Sequence, residues 1–136
     1  MPLNIHWLKD TQPRGRILIG EIVLNDYVER FEASSSFWKA RDYEQQWSGG
    51  LARLRQGELK SCLITDMYDP SNASFIRWWP IFRSGEQIVI QEQILFLDRL
   101  DSPFNPSDPY RFIGDRKSIS DDGERVSEWV VNLDSL

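Results

Sequence analysis

The stretch SFIRWWPIFRSGEQIVIQEQILFL, residues 74–97, constrains the fold more than any other part of the chain. Two apolar runs rich in Ile, Val and aromatic residues flank a short polar break, and Ser84-Gly85 reads as its two-residue hairpin turn. Strand alternation places Phe75, Arg77, Trp79 and Ile81 on one face of the first run. Ile76, Trp78, Pro80 and Phe82 fall on the other. Both faces are mostly apolar, so this strand is expected to be covered on both sides, with Trp78 and Trp79 as scaffold. Pro80 pulls the other way, because it removes a ladder donor and favours an edge or bulge. Arg77 shares the Trp79 face, where its stem can pack beside a ring while its charge reaches water or an acid.

The rest of the chain supplies partners for this hairpin. LNIHWL and RILIGEIVL read as strands, and Gly20 inside the second signals a bulge or close packing. VERFEA alternates apolar and charged residues, as a strand with one wet face does. A helix over about residues 42–56 follows from Tyr43, Trp47, Leu51 and Leu54, which recur on one face. Asp42 with Gln45 resembles a capping box, and Gly57 suits the position after the helix. Gly49-Gly50 costs about 2 kcal/mol relative to alanines, so the helix must pack closely there or bend. KSCLITDMY is a further strand, and RKSIS and RVSEWVVNL flank Asp122-Gly123 as a last hairpin. The expectation is an α+β, mainly β domain over residues 1–136: a twisted antiparallel sheet with one principal helix on a face.

Composition narrows the function. With 136 residues, 40% hydrophobic and 27% charged, the chain fits one soluble domain. No leader-like start and no run of about 20 apolar residues is found, so a cytoplasmic protein without a membrane span is expected. The single cysteine, Cys62, excludes an internal disulfide, and with the single His6 it cannot build a zinc site of the usual ligands. His6 has no partner motif that would make it a general base. No phosphate-binding glycine loop or nucleophile motif is present, and no cofactor is expected. The net charge of −5 argues against direct nucleic-acid binding. From Asp98 onward, nine acids against five bases carry −4 of that charge. Such asymmetry fits either a solvated surface or a basic partner.

The order YEQQW on the helix, LKSCLITDMYDP, the long hairpin and GDRKSISDDGERVSEWVV resembles bacterial immunity proteins of contact-dependent growth inhibition systems, over about Gly20–Val131. The resemblance implies a non-enzymatic cytoplasmic protein that binds the C-terminal toxin domain of a cognate secreted effector. Many such toxins are nucleases, often acting on tRNA. Carboxylates offered in place of phosphates would suit a basic nuclease cleft. The partner-binding residues expected are Asp66, Tyr68, Asp69, Asp98, Asp101, Asp108, Asp121, Asp122 and Glu124. Two other readings stay open: a small-molecule or peptide-binding module with an aromatic pocket around Trp38, Trp47 and Trp78, and a hydrolase using paired carboxylates, disfavoured for want of a motif.

Overall fold

The computed structural model describes residues 3–8, 16–120 and 123–133. Among these, the elements follow as β1 (Leu3–Trp7), β2 (Ile17–Leu24), β3 (Tyr27–Ser34), α1 (Ala40–Arg55), β4 (Lys60–Asp66), β5 (Phe75–Ser84), β6 (Gln87–Gln91), β7 (Gln93–Phe96) and β8 (Glu128–Asn132). The mainly β, α+β class is as expected, but the strands form two antiparallel sheets. One is β1-β2-β3; the other runs β4-β5-β6-β8, with β7 also paired to β5. The split has a physical cause. Each meander has an apolar face, Leu3, Ile22, Leu24 and Ala33 on the first and Leu63, Trp79, Ile81 and Ile90 on the second, and each face covers the other. Trp129 of β8 joins them, with Tyr27 stacked on it at 4.7 Å and Trp79 at 5.4 Å.

The hairpin of β5 is longer than its pairing partners suggest. Gly85-Glu86 makes the turn, one residue later than expected, because Ser84 pairs with Gln87. Gly85 takes φ +62, which the first position of this turn requires. The return run, expected as one strand, divides at Glu92. Pro80 stands opposite Gln91 and has no N–H to give. The register is nonetheless the same on both sides of the gap, with Ile81 opposite Ile90 and Trp78 opposite Gln93. Trp78 and Trp79 are each 2% exposed, on opposite faces, so both are scaffold. The expected pairing of RKSIS with the last strand shrinks to one bridge, Ile119 with Arg125. β8 pairs with β6 instead, which brings Val131 and Trp129 onto the shared core.

α1 does not lie flat on a sheet. It seals the outer edge of β4 with side chains. The Gln46 amide donates to the Cys62 carbonyl at 2.8 Å and accepts the Ile64 N–H at 2.7 Å. Trp47 Nε1 donates to the Ile64 carbonyl at 2.7 Å, and the Tyr43 hydroxyl accepts the Met67 N–H at 2.8 Å. The helix thus does for β4 what a neighbouring strand would do, and the edge groups stay paired although buried. Its start is two residues earlier than expected. Lys39 is the N-cap, and Asp42 serves from the third helical position, its carboxylate accepting the Lys39 N–H at 2.8 Å. Its end is as expected: Gly57 at φ +97 lets Glu58 N–H reach Arg53 and Gly57 N–H reach Leu54.

The glycine pair separates into two roles. A Cβ on Gly50 would lie 2.5 Å from the Cys62 carbonyl oxygen, so this glycine sets how close α1 comes to β4. Gly49 faces outward, with Tyr110 Oη at 3.6 Å from the same atom. We predict that Gly50→Ala lowers stability by about 1–3 kcal/mol through overpacking. Gly49→Ala should raise it by up to about 1 kcal/mol through helix propensity. Urea unfolding midpoints of the two variants check this; equal effects would contradict it.

Candidate functional site

Between β3 and the strands β5 and β7 opens a cleft of about 1020 Å³, which continues around β7 toward the loops before β8. Its mouth is built by register. The Phe31 ring lies across Gly20, where a Cβ would sit 2.3 Å away, and this fixes which face of β3 looks inward. Tyr27, Glu29, Phe31 and Ala33 therefore share the inner face, while Val28 is 51% exposed. Glu29 is thus a charge on the inner face of the strand expected to have one wet face. Glu29 accepts the Tyr27 hydroxyl and points into the cleft.

Glu92, at the break between β6 and β7, meets Glu29 from the other sheet. The neighbouring Glu29 disfavours ionisation of Glu92. Partial desolvation, then the Glu29 bond and charge, push Glu92 from its ordinary value near 4.5 up to about 8, and Arg77 offsets only part of this. Asp66 completes the mouth from β4. It is 6% exposed, accepts the Ser34 N–H at 2.9 Å and the Tyr68 hydroxyl at 2.7 Å, and ties β3 to β4. Burial raises its pKa, against the lowering effect of those bonds and of Arg77. Asp66 and Glu92 both feel the charge of Arg77, and both are held above their ordinary range.

The residues expected to bind a partner are distributed unevenly around this mouth. Asp66 and Tyr68 belong to it, and Tyr68 also packs edge-on against Phe75 at 6.2 Å. Asp69 lies just beyond; its carboxylate accepts the N–H and hydroxyl of Ser71, which keeps its pKa low and shapes the turn into β5. Asp98 is exposed in the short turn after β7, and Asp101 is exposed beyond it. Asp108 is exposed before the turn Pro109–Phe112, on the side of the second sheet away from the first. Glu124 stands on the far rim of the cleft, beside Ser120. Asp121 and Asp122 lie outside the described residues. The acidic last third is therefore no single patch: Asp115 pairs with Lys60 and Glu128 with Arg116. Glu29 and Glu92 were missed. The signals were present, since Glu29 shares parity with Tyr27 and Phe31, and Glu92 is the one charge within the return run of the hairpin.

The aromatic residues do not converge on a pocket. Trp38 at 5.1 Å and Trp47 at 6.2 Å pack on Tyr43 in one cluster, while Trp78 packs on Phe104 at 6.3 Å on the other side of the second sheet. Among the described residues no helix is long and apolar enough to cross a membrane.

Among the described residues the fold is a pair of packed antiparallel sheets with one principal helix, and it has clear relatives. The chain belongs to the CdiI N-terminal domain family, whose model matches residues 33–136. It is 31% identical over 115 residues to the immunity protein CdiI of Enterobacter cloacae subsp. cloacae, covering 85% of this chain and 79% of that protein. It also superposes on a chain of a CdiA-CT/CdiI toxin and immunity complex from Enterobacter cloacae with a TM-score of 0.83 and 28% identity, over 98% of this chain and 92% of that one. The resemblance read from the sequence motifs is thereby confirmed.

The Glu29–Glu92 pair makes stability depend on pH in a defined direction. Glu92 titrates near 8 when folded and near 4.3 when unfolded, so between these values the folded chain holds more protons. The contribution is full below the unfolded value and is lost as pH rises through about 8. Glu92→Gln removes it. We predict that the unfolding midpoint of the Gln variant, relative to the native chain, rises steadily between about pH 5 and 8.5. A difference independent of pH would contradict the raised titration of Glu92.

Proposed function

We propose that this chain is an immunity protein acting in the cytoplasm, where it binds and neutralises the C-terminal toxin domain of a cognate contact-dependent growth inhibition effector. The toxin in this reading is a nuclease acting on RNA, with a basic surface of the kind that grips phosphates. The observation that carries the reading is the mouth formed by Glu29, Asp66 and Glu92 around Arg77. Carboxyls held against their own repulsion cost stability in the free chain. A cation from a partner would relieve that cost, so the same groups become favourable on binding. Family membership and the likeness to a chain of a toxin and immunity complex support the same partner class. Action is by occupancy, one chain per toxin domain, without turnover.

Mixing the chain with the toxin domain encoded beside it should give a one-to-one complex and stop cleavage of the toxin's RNA substrate at equimolar ratio. Glu92→Lys should weaken the complex at least tenfold, about 1.4 kcal/mol, by titration calorimetry. Asp108→Lys, away from the mouth, should change it less than twofold. Absence of a complex, or cleavage that persists at excess of this chain, would refute the reading. Equal losses for the two variants would remove the mouth from the interface.

A further inference from the structure

We propose that the unpaired edge of β7 takes up an extended segment of the toxin domain as an added strand, one that alternates basic and apolar side chains. This rests on the toxin-binding reading and specifies its geometry.

The direction of the backbone groups follows from the pairing. Leu97 N–H donates to the Ser74 carbonyl at 2.8 Å, and Leu95 and Gln93 share its parity opposite Ile76 and Trp78. These residues turn their N–H and C=O toward β5, so Ile94 and Phe96 turn theirs away from it. Glu92, of the same parity as Ile94, donates to the Ser127 carbonyl at 3.1 Å. That bond is the last on this edge. The chain before Ser127 is drawn aside, because Val126 N–H donates to Ser118. Among the described residues no hydrogen bond reaches the outward N–H or C=O of Ile94 or Phe96, and Ile94 is 43% exposed.

Other edges are closed to different degrees: the outward groups of β3 at Val28, Arg30 and Glu32 have no hydrogen bond among the described residues, but that edge carries the charges Arg30 and Glu32. α1 covers β4 through Gln46 and Trp47. Asp66 and Tyr43 bind the N–H and C=O of Ser34 at the end of β3, and Asn25 caps the Val130 carbonyl on β8 at 3.0 Å. β1 runs beside α1 across a groove of about 530 Å³. An open, partly apolar edge left beside a cleft of about 1020 Å³ is a template for strand addition.

The walls define the occupant. Glu92 and Ile94 project to the side facing the first sheet, where Glu29 waits. Leu95 projects to the other side, toward Leu100 and Phe112. Successive side chains of an added strand would meet these two sides in turn, so Lys or Arg toward Glu29 and Glu92 would alternate with apolar residues toward Leu95.

Amide hydrogen exchange by NMR tests this with the full chain, free and bound to the toxin domain. In the free chain Ile94 and Phe96 should exchange at least tenfold faster than Leu95 and Leu97; in the complex they should slow at least tenfold. Ile94→Pro deletes one outward donor and leaves the bonds to β5, so it should weaken binding at least tenfold, whereas Ile94→Val should stay within twofold. A complex in which Ile94 and Phe96 remain fast, or in which protection appears on β1 or β3 instead, overturns the edge inference and leaves the toxin-binding reading intact. Native affinity of a folded Ile94→Pro variant does the same. If that variant does not fold, the exchange result decides. Failure to form any complex overturns both.

Discussion

The closure of β4 by α1 is the constraint on which the rest of the structure depends. β4 is almost wholly buried, yet it is the outermost strand of its sheet. Unpaired N–H and C=O groups there would cost about 1–3 kcal/mol each. Gln46 answers with a side-chain amide that copies the donor and acceptor of a missing strand, and Trp47 and Tyr43 extend the copy toward the C-terminal end of β4. This works only at short range, which is why Gly50 stands against the Cys62 carbonyl. Two of these side chains also reach into the first sheet: Tyr43 donates to the Ser34 carbonyl, and Trp47 packs against Trp7 and Phe31. One helix face therefore fixes the edge of one sheet and the distance to the other, and with it the width of the cleft.

Against this well-satisfied frame, the mouth of the cleft is electrostatically unfavourable. The Cys62 and Ile64 carbonyls and the Ile64 N–H on the outer edge of β4 all have side-chain partners on α1. Glu29 and Glu92 instead face each other from two sheets, and Asp66 is buried close by with one cation, Arg77, to share. Such a site is more costly in the free chain than an apolar or neutral one of the same shape. Its position beside the stretch of β7 edge that no hydrogen bond reaches among the described residues is the physical basis for assigning binding to this side of the molecule rather than to the acidic but dispersed last third.

What could be read from the sequence followed the strength of local signals. The β5–β6 hairpin, the helix and its glycine end, and the burial of both adjacent tryptophans were legible because periodicity and turn chemistry are local. The close packing foreseen for Gly20 and for Gly49-Gly50 was found at Gly20 and Gly50. The division into two sheets was not legible, since nothing local says that β3 and β4 belong to different layers. Gln46 read as one more polar helix residue, because its partner is an edge that exists only after folding. The turn shift at Gly85 and the loss of the RKSIS strand have the same origin: register and choice of neighbour were decided by Trp79, Trp129 and Val131 in the core. For the candidate site, Asp66 and Tyr68 were found from composition at a strand end. Glu29 and Glu92 were not, because a charge on an inner face is visible only when the strand's parity is known.

The central claim is that partner capture is driven by the carboxyls of this mouth. Its most direct test is the association rate constant with the cognate toxin domain, followed by stopped flow across ionic strength for the native chain and the Glu29→Gln, Glu92→Gln double variant. The account predicts a rate that falls steeply with salt for the native chain and a distinctly shallower dependence for the double variant, the two converging at high salt. Identical salt dependences for the two proteins would contradict it.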